Sequence, residues 1–348
     1  ASARRMHALG RIAFCIQSLV HGAYDSNMRR GPAGRAGSAS GMIPASRTTE
    51  SRSKPRLLSF IIQFISGNQM KKSLIALGIA SALFSGAAAA ADWSDAYIGY
   101  TYGQKYKEPG DAADVQKDIL TLSYVGGYKY GVNFFTLDML TSNDKNPAHG
   151  SSTGSPSERG AQEVYVVYSN TLSLSKVTGS PMKFGPIRDV GIQAGFDYNS
   201  KNDTFGAGLI KYIAGPKVEF DVPGLLTLGL FYYKENNNNG ISGKDVSFDP
   251  TYRIASVWSF NFDAGLPAVF KGFANYTGKK GKDGFGGDTA AETWLDTGLL
   301  WDVGSVAGTP KTFYAGVGYQ YIKNKFGNQP SLAGTKISTP QIKLEAHF

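Results

Sequence analysis

Alternation of apolar and polar residues at period two runs through most of the chain from residue 92 onward. In 189–199, Val190, Ile192, Ala194, Phe196 and Tyr198 fall on one face, and Asp189, Gln193, Asp197 and Asn199 on the other. Further along, Tyr252, Ile254, Trp258 and Phe260 oppose Arg253, Ser259 and Asn261, and Leu295, Leu299, Trp301 and Val303 oppose Glu292, Asp296 and Asp302. Successive side chains of a strand point to opposite faces, so such dyads predict a sheet with one apolar and one polar face. Twelve segments read this way: 93–104, 116–127, 129–141, 161–174, 187–199, 204–221, 224–237, 248–262, 266–277, 289–303, 311–324 and 336–348. The third and sixth alternate poorly.

The connections sort into two kinds. Short turns are expected at Gly126-Gly127, 222–224, 263–267 and 304–310, whereas longer polar loops include 142–160, 236–247 and 277–288. The connection after the fourth segment is long and the one after the fifth is short, against this rule. Short turns at one end and long loops at the other are the habit of outer-membrane barrels. Aromatic residues lie near segment ends (Trp93, Tyr102, Tyr128, Tyr198, Tyr232, Tyr276, Trp301 and Tyr321), as interfacial girdles require. The polar face carries too many charges for the dry core of a sandwich, but suits a wet lumen. The expected fold is therefore all-β: a 12-stranded antiparallel transmembrane barrel of a Gram-negative outer membrane. The 257 residues from Asp92 to Phe348, spread over twelve strands, give about 21 per strand and connection, which fits spans of 9–11 residues. The final segment alternates to Phe348, in the manner of a closing strand that recruits the barrel assembly machinery.

Composition changes the picture upstream. From Met70, two lysines, an apolar run Leu74–Phe84 and small residues ending in Ala89-x-Ala91 form a signal peptide, too short to span a membrane as a helix. Residues 70–91 are thus expected to be a cleaved export signal, and 92–348 the barrel. Residues 1–69 hold nine of the arginines in a Gly/Ser/Arg-rich context that builds no core, and are expected to be a disordered, spurious upstream extension. A basic targeting or nucleic-acid tail is the alternative. Residues 1–91 carry 12 basic and 2 acidic residues, leaving 36 − 12 = 24 basic and 27 − 2 = 25 acidic in the barrel. The net charge of +9 therefore belongs upstream, and no nucleic-acid partner is implied for the barrel.

Cys15 is the only cysteine, so the barrel segment has neither disulfides nor thiolate metal sites. No cofactor or metal is expected. His149-Gly150-Ser151 has the spacing of a lipid-hydrolysing barrel's His/Ser pair, but it lies in a Gly/Pro/Ser loop unsuited to fixing a catalytic base.

The run Phe184-Gly185-Pro186-Ile187-Arg188-Asp189 resembles a block of the nucleoside-specific outer-membrane channel family (Tsx-like), as do 215–226 and, more weakly, 92–103. The resemblance implies a monomeric 12-stranded barrel with a narrow, aromatic-rich lumen passing nucleosides. The expected function is passive diffusion of nucleosides or similar small polar solutes. Alternatives are a channel for another nutrient, a lipid-hydrolysing barrel enzyme, or a structural or adhesive barrel. Candidate solute-binding residues on the polar face are Tyr97, Phe273 and Trp294 for stacking, with Asp189, Asp197, Arg253, Lys271, Glu292 and Asp296 for hydrogen bonds. The competing expectation is that these charges pair across the lumen and brace the wall. Outer-membrane lipid and lipopolysaccharide are the remaining expected partners.

Overall fold

The computed structural model describes residues 91–148, 160–206 and 208–348. The upstream segment, the signal stretch up to residue 90 and the His149/Ser151 pair lie outside the described residues. The strands are β1 (Trp93–Tyr106), β2 (Val115–Tyr128), β3 (Gly131–Ser142), β4 (Gln162–Ser173), β5 (Ile187–Lys201), β6 (Ile210–Phe220), β7 (Leu225–Asn239), β8 (Lys244–Ser247), β9 (Thr251–Asp263), β10 (Pro267–Thr277), β11 (Glu292–Asp302), β12 (Phe313–Lys323) and β13 (Ile337–His347). All but β8 form one antiparallel ring in chain order. β1 pairs with β13 from Tyr97–His347 to Gly103–Gln341, which closes the ring at twelve strands. Closure leaves no free edge within the ring, the condition for a sheet to sit in lipid.

Each of the twelve segments read from the sequence corresponds to one strand of this ring. Three details differ. Gly126 and Gly127 are not the turn: they belong to β2, and the turn is Lys129–Tyr130. The ring of Tyr124 lies over Gly126 and the indole of Trp93 over Gly127, where a Cβ would meet them at 2.2 and 2.1 Å. β6 begins at Ile210 rather than 204, after Gly206 has taken a positive φ of 48°. β8 was not anticipated; its residues pair with the polar Asn236–Asn239, a stretch with no alternation to read.

The ring is apolar outside and polar inside. Ile98, Ile192, Leu230, Val317, Ile342 and Leu344 lie exposed on the outer surface. Tyr102, Tyr198, Tyr232, Tyr252, Tyr276 and Tyr321 share that face towards one end of the strands, and Tyr128, Phe262, Trp301 and Phe313 towards the other. Trp93 departs from the expected girdle, because its register puts it in phase with the lumenal Tyr97. Two aromatic bands around an apolar waist match the interfaces of a bilayer. The connections follow: 107–114, 143–161, 202–209, 240–250, 278–291 and 324–336 at the loop end, and 129–130, 221–224, 264–266, 303–312 and 174–186 at the turn end. The last is longer because it contains a helix, α1 (Leu174–Thr178), capped by Ser173 and ended by Gly179 in the left-handed region.

Candidate functional site in the barrel lumen

The register turns all nine candidate residues inward, since each shares a face with side chains already assigned to the lumen. They do not form one constellation. Phe273 and Trp294 pack at a ring separation of 5.9 Å near the middle of the barrel. Asp197 and Arg253 pair at 3.6 Å nearby. Glu292 accepts from the backbone N–H of Phe326 at 2.5 Å. Asp296 is held by Lys343 at 2.5 Å and Gln320 at 2.8 Å. Lys271 lies over the ring of Tyr97 and pairs with Glu345 at 2.6 Å, while Tyr97 stacks on His347. Asp189 stands apart at the turn end, bound to the hydroxyls of Ser173 and Ser175. Asp197, Arg253, Lys271 and Asp296 thus pair with charges two or three strands away along the wall, rather than across the lumen as the competing expectation had it.

Two important residues were missed. Tyr165 on β4 meets Trp294 on β11 edge to face, with ring centroids 6.3 Å apart. Five strands separate these two on either side of the ring, so the pair bridges the full diameter of the lumen. The Tyr165 hydroxyl is 3.0 Å from both the Asp197 carboxylate and the Lys211 ammonium. Tyr233 lies under Arg253, 4.5 Å from the guanidinium carbon, and donates to Glu235 at 2.5 Å. The signal was available: Tyr165 shares phase with Glu163, and Tyr233 with Glu235. The Trp294 indole N–H is buried and has no hydrogen-bond partner among the described residues.

Above this aromatic bridge ion pairs tie the loops to the wall. Glu108, in the loop 107–114, faces Lys117 of β2 at 2.7 Å, Lys325 at 3.0 Å and Lys201 of β5 at 3.2 Å. Lys117 also reaches Glu163 at 3.4 Å. Lys280, from the loop 278–291, drops onto Glu235 at 2.5 Å. The loops are joined to one another through Gly110 N–H to Ala333 O at 2.9 Å and Ala290 N–H to Gly327 O at 2.8 Å. Beside these ionic contacts Tyr106, Val115, Ile119, Ile322 and Ile337 fill the lumen with apolar side chains. The void left between Lys211, Tyr233, Glu235, Lys280, Glu292 and Phe326 is about 10 Å³, about one water's worth.

Burial alone would raise the Glu108 carboxyl, but Lys117, Lys325 and Lys201 outweigh it and hold the group well below its ordinary 4.5. Burial pushes Lys325 down to about 8 despite Glu108, with Lys117 and Lys201 adding to the fall. Lys280 is likewise lowered by burial, with Glu235 opposing. The network is thus charged near neutrality and depends on the loop carboxylate. Among the described residues, no cluster of His, Cys, Asp and Glu could hold a metal ion.

No protein-family model and no curated protein matches the chain. Among solved structures, the barrel is similar to the KdgM porin (11% identity over 72% of this chain and 99% of that one, TM-score 0.38). It is also similar to an outer membrane channel from Pseudomonas putida F1 (8% identity, 73% and 95% covered, TM-score 0.42). A third is the translocator domain of the autotransporter NalP from Neisseria meningitidis (13% identity, 80% and 98% covered, TM-score 0.37). Channels and translocators both appear, and at these scores neither carries a solute or a transport role over to this chain.

Proposed function

We propose that the chain is a gated outer-membrane diffusion channel for small polar solutes carrying a planar ring, with nucleosides as the leading class. One observation carries the reading: the lumen is crossed in its loop half by Tyr165 and Trp294, with Phe273 beside them and Asp197, Lys211, Arg253 and Asp296 around them. A purely structural barrel has no need of aromatic faces or an unpartnered indole N–H there. Parted, the two rings would present stacking faces to a base, while the surrounding carboxylates and ammoniums would hydrogen-bond ribose hydroxyls. Passage is passive. It requires the loop-end network to release and the rings to part, because Tyr165 and Trp294 meet across the lumen.

Binding is expected to be weak, since a tight site would hold its solute and stop conduction. Planar-bilayer recording tests this directly. Adenosine or thymidine should reduce ion current at concentrations where glucose has little effect, and equal action of nucleosides and glucose would remove the nucleoside assignment. A barrel that inserts but never conducts would remove the channel itself.

A further inference from the structure

We propose that the outward face of β12, β13 and β1 at the loop end binds a lipid of the outer leaflet whose headgroup carries phosphate; this rests on the outer-membrane reading above, in which a barrel's long-loop end faces the outside. Three lysines converge there. Ile322 and Ile337 are paired and buried in the lumen, so the adjacent Lys323 and Lys336 point to the opposite face, where both are exposed. The register of β1 slips between Gly103 and Tyr106. This places Lys105 on the exposed surface as well, its N–H bonded to Thr339 of β13 at 3.2 Å. A bulge of this kind re-aims a side chain at a sheet rim.

The surroundings favour an anion from outside the protein. None of the three lysines forms an ion pair among the described residues, whereas Lys107, Lys183 and Lys282, also at the rims, each hold a carboxylate. The outward positions of β12 and β13 and those of β1 from Ser94 to Gln104 contain no acidic residue. Asp114, near Lys105, is taken by Lys107 at 2.8 Å, and the outward Asp118 of β2 is engaged by Tyr100 and Gln116. Below the lysines stand Tyr102, Tyr319 and Tyr321, with Lys336 lying over the Tyr321 ring at 5.9 Å. Tyr319 is tied to Ser338 at 2.7 Å and Gln104 to Tyr102 at 2.5 Å, so the aromatic shelf is fixed. Cations above an interfacial aromatic shelf, bordering apolar wall, match phosphate above sugar and acyl chain.

The test uses the full barrel in detergent, titrated with bis-phosphorylated lipid A and followed by native mass spectrometry. Each basic residue near an anionic lipid surface is worth about 1 kcal/mol, roughly five-fold, so the Lys105→Ser, Lys323→Ser, Lys336→Ser triple variant should bind roughly 100-fold more weakly. Lipid A stripped of phosphate should bind wild type as weakly as the variant binds the intact lipid. Inorganic phosphate at equal concentration should not compete, because the acyl chains supply the rest of the affinity. A Lys279→Ser, Lys282→Ser control in the distal loop should bind like wild type. Unchanged affinity in the triple variant, or indifference to the phosphates, would overturn the site. Heat-modified electrophoretic mobility confirms that each variant is folded. Conductance of the same preparation is scored separately, so a barrel that binds this lipid yet passes no current would break the channel reading alone.

Discussion

The two halves of the lumen are built differently. In the loop half the charged groups span the barrel and draw in three loops: Glu108 joins β2, β5 and the 324–336 loop, Lys280 joins the 278–291 loop to β7, and Tyr165 and Trp294 meet across the full diameter. In the turn half the wall of β4 to β7 carries small lumenal residues such as Ser169, Thr171, Gly191, Gly195, Gly215 and Gly229. Arg188–Glu219 lies on this wall near its rim, and Lys271–Glu345 and His347–Asp95 lie on the opposite wall. One half resembles a clamp and the other a vestibule. On the proposed channel reading the barrier to permeation belongs to the loop half, where Glu108, Lys280 and Lys325 are borne by loops and the groups they meet are borne by strands.

The sharpest way to break this comparison is to remove Glu108. Glu108→Gln leaves Lys117, Lys201 and Lys325 facing one another with their shared counter-charge gone. Losing one partner of a buried ionic cluster costs about 3 kcal/mol, enough to move a closed-to-open ratio about 100-fold. Single-channel recording should show a mostly closed wild type and a mostly open variant. Glu345→Gln in the turn half should have much less effect, because His347 keeps Asp95 and Lys271 keeps the Tyr97 ring. Equal effects from the two variants would mean that the halves are not functionally distinct.

Proton concentration should push the same way. Glu108 has a lowered value in the closed state and returns towards 4.5 once its loop is in water. Its contribution to closure is therefore full above about pH 4.5 and is lost as pH falls towards the closed-state value. Lys325, at about 8 when closed and near 10.5 when exposed, binds fewer protons in the closed state over that interval. Raising pH from about 8 to 10.5 thus favours closure, by at most about ten-fold per unit. Open probability should be highest in acid and fall again above pH 8. A Lys325→Gln channel should lose the alkaline limb and keep the acid one, and the opposite pattern would reverse the assignment.

How far the sequence could foresee this contrast depends on what each half is made of. Strand alternation is a local property, so β5, β9 and β11, with apolar and polar faces cleanly separated, were legible in full. β3 was harder because Leu140 faces inward while Leu137 and Met139 face outward, so both faces read as apolar. The inward set Tyr97, Asp197, Arg253, Phe273, Trp294 and their companions followed from phase alone. Their partners did not. Whether Trp294 meets Tyr165, or Glu108 collects Lys117, Lys201 and Lys325, depends on barrel diameter and loop descent, and neither has a period in the sequence. Glu108 and Lys325 lie in connections, where alternation gives no faces, and so the clamp was invisible although most of the wall was in view.

The aromatic bridge offers a finer cut between the halves. If solute stacks in the loop half, Trp294→Ala should weaken nucleoside block about 5- to 30-fold, from about 1–2 kcal/mol of lost base stacking, while raising basal conductance. Tyr165→Ala should do the same from the other wall. Tyr97→Ala removes a ring of comparable size from the turn half, where it stacks on His347. Titrating adenosine against current in the three variants separates the cases. Loss of block only in Tyr97→Ala would move the solute site to the turn half and leave the bridge a steric gate.

The smallest effect is expected from Lys217, and it tests whether the turn half is a vestibule at all. Lys217 faces the lumen on β6 between Gly191 of β5 and Gly229 of β7, so neither neighbour offers it a side chain. It forms no ion pair among the described residues, and Glu219, next in phase on the same strand, is held by Arg188. Removing it breaks no cross-lumen contact, so Lys217→Gln should leave open probability, pH dependence and thermal stability unchanged within about 1 kcal/mol. What should change is ion preference. A cation lining the passage repels permeating cations, and its loss should shift the reversal potential in a salt gradient modestly towards cation selectivity. The shift should shrink as ionic strength rises and the charge is screened. A change in gating instead would place Lys217 in the clamp and extend the barrier across both halves of the barrel.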